Sequence, residues 1–199
     1  MNNLELLQKY WSHKSFRPLQ EECIDSISSG LDTVGLFPTG SGKSLCYQLP
    51  ALSLKGLVLV VSPLIALMED QVKSLNDKGI KAMYFQSNPK SIPVSQQIDN
   101  CIHGNYKIVY ISPERLIQKS IIQQLSFAKI SFLAVDEAHC ISEWGHDFRP
   151  AYRKINILRT VFPDLPVLAL TATATPKVLL DIKDYLELKK PNVFQKSFE

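Results

Sequence analysis

The residues best suited to chemistry fall in two clusters far apart in the chain, Thr39-Gly40-Ser41-Gly42-Lys43-Ser44 and Asp136-Glu137-Ala138-His139. Glycines let a backbone turn tightly and aim successive N–H groups inward, so the first cluster can cradle phosphate. Lys43 would reach the β- and γ-phosphates, and the Ser44 hydroxyl would hold Mg²⁺. The strict phosphate-loop spacing asks for a glycine where Phe37 stands, so on this stretch alone an ordinary Gly/Ser loop is the alternative. In the second cluster Asp136 can hold Mg²⁺, directly or through water, opposite Ser44. Glu137, directed to the other side of its strand, can orient and deprotonate an attacking water. By itself such a pair is also what a solvated strand exit looks like. The two clusters together predict a nucleotide hydrolase site.

The elements that must position these residues can be read from periodicity. Residues 31–38 read as a buried strand running into the glycine loop, and Leu45 onward reads as the opening of a helix, whose positive dipole end would face the phosphates. Further strands are expected at 57–61, 80–85, 107–111, 130–135, 167–170 and 192–195. Helices are expected at 3–11, from Pro18 to Ser28, from Ser62-Pro63 to Lys78, at 95–103, from Ser112-Pro113, at 150–162 and from Thr175-Pro176 to Leu188, with a loop at 88–95. Alternating strands and helices mean right-handed crossovers, hence a mostly parallel central sheet with helices on both faces. In such three-layer α/β folds ligands gather at the carboxyl ends of the strands. The phosphate loop, Ser62-Pro63, Ser112-Pro113, Asp136-Glu137 and Thr171-Ala172-Thr173 all fall there.

Composition sets bounds. With 199 residues, 45% of them hydrophobic, the chain can fill the core of one generous domain. A net charge of +3 and a pI near 8.6 are compatible with nucleic acid without demanding it. Four cysteines at 23, 46, 101 and 140 form no C-x-x-C pair and read as buried thiols in a reducing compartment. The first residues lack the basic start and apolar run of a signal peptide, and no apolar run is long enough to span a membrane. The expectation is a cytoplasmic monomer with no membrane association.

Asp-Glu-Ala-His behind a phosphate loop resembles a superfamily 2 helicase, and the run from Cys140 to Pro150 resembles the aromatic-rich loop of RecQ-family DNA helicases. Other stretches match the family in order: Phe16-Arg17-Pro18-x-Gln20, Pro38 to Ser44, Val61 to Gln71, Tyr110 to Leu116, and Leu170 to Ala174. The resemblance implies a RecA-like P-loop NTPase fold, the first of two motor domains. Residues 1–30 form a helical segment with the adenine-recognition motif, and 31–199 the ATP-binding domain. The second RecA-like domain, normally in the same chain, would follow near Gln195–Glu199.

The implied activity is ATP-dependent 3′–5′ unwinding of DNA in repair and recombination, with ATP and Mg²⁺ as cofactors and single-stranded or partially duplex DNA as partner. Gln20 would read the adenine edge, and Arg17 would stack on the base; where family members often carry an aromatic residue four before that arginine, this chain has His13. Pro38, Thr39, Gly40, Ser41, Gly42, Lys43 and Ser44 would hold the nucleotide, with Ser44 and Asp136 on the metal and Lys43, Asp136 and Glu137 catalytic. Ser62, Pro63, Ser112 and Arg115 would meet DNA phosphates, although serine before proline also suits plain helix capping. Trp144, His146, Phe148 and Arg149 would meet unstacked bases, with at least one aromatic packing beneath the loop. His139 would link site and loop, and Thr171 and Thr173 would couple the site to domain movement or simply close their strand. An RNA helicase domain and a non-motor ATP- or DNA-binding module are the competing readings.

Overall fold

The computed structural model describes residues 1–86 and 92–195; the first half of the expected loop at 88–95 and nearly all of the junction at Gln195–Glu199 lie outside them. In chain order the elements are α1 (Asn3–Trp11), α2 (Gln20–Ser28), β1 (Thr33–Leu36), α3 (Leu45–Gln48), α4 (Pro50–Ser53), β2 (Leu57–Val61), α5 (Ile65–Asp77), β3 (Ala82–Tyr84), α6 (Val94–His103), β4 (Ile108–Ile111), α7 (Pro113–Leu116), α8 (Lys119–Leu125) and β5 (Ile130–Val135). Two 3₁₀ segments follow, Ala138–Ile141 and Pro150–Thr160, then β6 (Val167–Thr171), α9 (Pro176–Tyr185) and β7 (Asn192–Gln195).

The seven strands form one sheet in the order β3-β4-β2-β5-β6-β1-β7, and every pairing is parallel. All five residues of β2, all four of β4 and all five of β6 are buried, as their unbroken apolar runs require of strands covered on both faces. The core divides into one cluster on each face of the sheet, and a third small cluster seats α1 against Ile24, Leu45 and Leu49. At the amino ends of β1, β6 and β7 the buried Asp32 carboxylate accepts bonds from Arg159 (2.9 Å), the Val167 amide (2.8 Å) and the Lys189 amide (2.7 Å). Removing one partner of such a buried pair typically costs about 3–5 kcal/mol.

Several expectations need correction. Leu19 adopts a left-handed conformation and caps α2, so that helix starts at Gln20 rather than Pro18. The helix after the phosphate loop is split into α3 and α4, because Pro50 has no N–H to continue it. Ser62-Pro63 does not open a helix: α5 begins at Ile65 with an extended Leu64 at its cap, and the buried Ser62 hydroxyl has no hydrogen-bond partner among the described residues. Ser112 does cap α7, accepting from the Arg115 amide at 3.3 Å, but that helix is four residues long. The helix expected at 150–162 is present as the 3₁₀ segment Pro150–Thr160.

Candidate nucleotide and nucleic-acid site

The carboxyl ends of β1, β2, β5 and β6 gather the chemistry on one edge of the sheet. β1 delivers Phe37, whose amide continues the ladder to Thr171, and then the loop Pro38 to Ser44. Gly40 and Gly42 have φ near +77° and +82°, a left-handed backbone that only glycine takes without strain. Phe37, standing where a glycine was expected, is itself buried and packs in the core, so the loop turns on its later glycines instead.

Residues of the first helical segment hold this loop from outside. Arg17 donates to the Gly40 carbonyl at 2.6 Å, and Gln20 donates to the carbonyls of Gly42 (3.0 Å) and Ser41 (3.3 Å). The Gln20 side-chain oxygen accepts from the Arg17 amide at 2.8 Å. Gln20 is only 3% exposed, and no Cβ fits at Gly42 without pressing on its amide. Gln20 and Arg17 border a cleft of about 230 Å³ that Trp11, His13 and Ser44 also line. A second cleft, of about 300 Å³, lies between Arg17 and the stretch from Leu36 to Ser41. Trp11 was not singled out from sequence; its two-residue spacing from His13 was the available signal.

Lys43 reaches across to β5, where it hydrogen-bonds Glu137 and pairs with Asp136 at 3.2 Å. The strand alternation expected to separate the two carboxylates stops at Val135, and Glu137 takes a left-handed turn (φ 49°) that brings its side chain to the same ammonium. A non-glycine residue in that conformation is strained, a device common at functional sites. Burial works to lower the Lys43 ammonium, but Asp136 and Glu137 outweigh it and hold it above its ordinary value. Burial pushes the Asp136 carboxyl up, with Lys43 pulling the other way. Tyr152, unanticipated from sequence, holds the Asp136 carbonyl at 2.9 Å from inside the core.

His139 extends the site. Its Nδ1 lies 2.9 Å from the Thr171 hydroxyl and 3.4 Å from Glu137 Oε2. The Thr171 hydroxyl donates its own proton to the Thr173 carbonyl at 3.1 Å, so Nδ1 carries the imidazole hydrogen and donates it. Burial holds this imidazole below its ordinary value, so it is neutral at pH 7, with Glu137 pulling upward.

The loop from Cys140 to Pro150 closes at its base where the Arg149 amide meets the Cys140 carbonyl at 2.8 Å. The Arg149 guanidinium donates to the Pro63 carbonyl at 2.9 Å and pairs with Asp147 at 3.2 Å. Phe148 is half-buried beneath Arg153, whose guanidinium lies 4.8 Å from its ring centre, while Trp144 stands 71% exposed and His146 is exposed beside His139. Leu64 and Ile65, also exposed, follow Pro63 on the same edge. Ser112 and Arg115 sit at the end of β4.

Residues 17–182 match the family described as DEAD/DEAH box helicase. The chain belongs to that family. Within it, the chain is 46% identical over 98% of its length to the ATP-dependent DNA helicase RecQ of Pasteurella multocida and 45% identical over 97% to RecQ of Bacillus subtilis. It spans about a third of the length of these relatives, 31% and 33%. The helicase fold is also seen in a hypothetical ATP-dependent RNA helicase from Sulfolobus tokodaii, whose structure superposes with a TM-score of 0.70 at 24% identity, covering 98% of this chain and 57% of that one. The parallel seven-stranded sheet is therefore that of a RecA-like helicase domain. Among the described residues no helix is long and apolar enough to cross a membrane.

Proposed function

We propose that these residues form the ATP-binding motor domain of a RecQ-type DNA helicase, which couples ATP hydrolysis to movement along DNA. The observation that carries the reading is Lys43 held between Asp136 and Glu137, with an exposed-aromatic loop built onto the same strand end. The phosphate-loop lysine and the strand-end acids are the parts a nucleotide hydrolase needs within reach of one another.

The residues fit a hard divalent cation. Asp136 meets Lys43 and the Glu137 amide through Oδ1, which leaves Oδ2 for an ion, and Ser44 opens the helix across the cleft. Mg²⁺ asks little more of a protein, since phosphates and water complete its octahedron. Among the described residues no cluster of three or more acidic, His or Cys side chains could hold a metal unaided. Bound there, Mg²⁺ would neutralise charge developing on the phosphates. Lys43 would leave the carboxylates for the β- and γ-phosphates, freeing Glu137 to take a proton from the attacking water. The buried Ser41 hydroxyl, which has no hydrogen-bond partner among the described residues, lies in the loop that would receive them. Arg17 and Gln20 would turn to the adenine from positions where they already grip the loop.

Superfamily 2 motors bind ATP between two RecA-like domains, and an arginine finger from the second is typically worth on the order of 10³–10⁵ in rate. These 199 residues by themselves should therefore bind nucleotide, hydrolyse it very slowly, hold DNA weakly and unwind none. Nucleotide affinity by calorimetry, ATPase rate with and without single-stranded DNA or RNA, and strand displacement on a duplex with a 3′ tail test this. Stimulation by RNA alone would favour the RNA helicase reading. Absence of nucleotide binding would favour a non-motor module, and robust unwinding would overturn the division of labour.

A further inference from the structure

Trp144 projects into solvent, yet its backbone is fixed from within. Its amide donates to the Ser142 hydroxyl at 3.1 Å, and that hydroxyl donates to Asp181 Oδ2 at 2.6 Å. Ser142 is fully buried, and Asp181, on α9, is only 9% exposed. On the other side of Trp144, Gly145 packs so closely on the His139 carbonyl that no Cβ would fit. One turn along α9 from Asp181, Tyr185 stacks on the Arg153 guanidinium at 4.3 Å, and the same guanidinium covers Phe148. A single face of α9 thus anchors both aromatics of the loop. The helix itself is capped by Thr175, directly after Thr171 and Thr173, which bond one another beside His139.

We propose that Asp181, acting through Ser142, is a positioning residue that presents the Trp144 indole to single-stranded nucleic acid. The proposal rests on the loop being a nucleic-acid contact. A buried hydroxyl that both donates and accepts fixes its two partners relative to each other. The exposed ring therefore meets a base without first losing the backbone freedom of a loose loop. Lys177, 3.6 Å from the other Asp181 oxygen, leaves the Ser142 bond free to form.

Fluorotryptophan labelling of the 199-residue chain provides the test, because the chain has two tryptophans and Trp11 serves as an internal control. A thymidine oligonucleotide at low salt should shift the Trp144 signal and leave that of Trp11 in place. Asp181→Ala and Ser142→Ala should each weaken oligonucleotide affinity roughly five- to tenfold, the usual range for one hydrogen bond. Both should sharpen the Trp144 signal, as faster motion does, and leave nucleotide affinity unchanged. Asp181→Asn should restore most of the affinity, since its amide oxygen still accepts from Ser142. Wild-type affinity in Asp181→Ala would overturn the inference alone. So would a parallel loss of oligonucleotide binding, nucleotide binding and melting temperature, which would mark a merely structural bond. An unresponsive wild-type Trp144 signal would instead remove the reading of the loop on which the inference rests.

Discussion

Lys43 hydrogen-bonds Glu137 across the cleft, a contact between residues 94 positions apart that joins the end of β1 to the end of β5. Asp136 shares the same ammonium. On the proposed reading, these carboxylates hold the ammonium that nucleotide phosphates would take. Nucleotide would then have to compete with an internal ion pair, and its binding would release the two acids together.

Replacing Lys43 with Ala should abolish tight ATP binding, because it removes the ammonium that pairs with both carboxylates and leaves their negative charge facing the phosphates. Calorimetric titration checks this, and an unchanged affinity would remove Lys43 from the phosphate site.

Glu137→Gln should keep ATP binding and, in a chain that carries both motor domains, lower turnover by roughly 10²–10⁴, the usual contribution of a general base. The amide retains the shape and can sit in the same left-handed turn. Normal single-turnover hydrolysis in the variant would show that another group takes the proton.

Gln20→Ala should have two effects. The side chain bonds the carbonyls of Ser41 and Gly42, so its loss should loosen the phosphate loop and weaken all nucleoside triphosphates. If it also reads adenine, ATP should suffer more than UTP or CTP. Competition binding separates the two: an equal loss for every base would leave only the loop-bracing role.

His139 should make stability depend on pH. Burial lowers its folded value below the ordinary 6.5, so the unfolded chain takes up this proton first as pH falls. The stability it contributes is complete above the unfolded value and is lost as pH drops from there toward the folded one. His139→Gln should therefore narrow the difference in melting temperature between about pH 7.5 and about pH 5.5. An identical acid loss in both proteins would place the titration at another group.

Much of this protein is determined by local pattern. The apolar runs of β2, β4 and β6 could only be strands covered on both faces, and the order of strands and helices left a parallel sheet as the consistent outcome. The spacing of Gly40, Gly42, Lys43 and Ser44 and the adjacent Asp136 and Glu137 pointed to a candidate site, and the fold brings Lys43 to both acids. The turn at Glu137 was not legible, since the period-two alternation of a strand says nothing about where the backbone leaves it. Ser62 reads locally like Ser112, a serine before proline; only packing decided that Ser112 caps a helix while Ser62 is buried and opens none. Ser142 and Asp181 lie 39 positions apart, and no spacing rule connects them. Their bond exists because β6 carries the chain back beside β5 and sets α9 against the loop. Tertiary structure alone decides which of many polar residues meet, since a hydrogen bond depends on distance in space and not on distance along the chain.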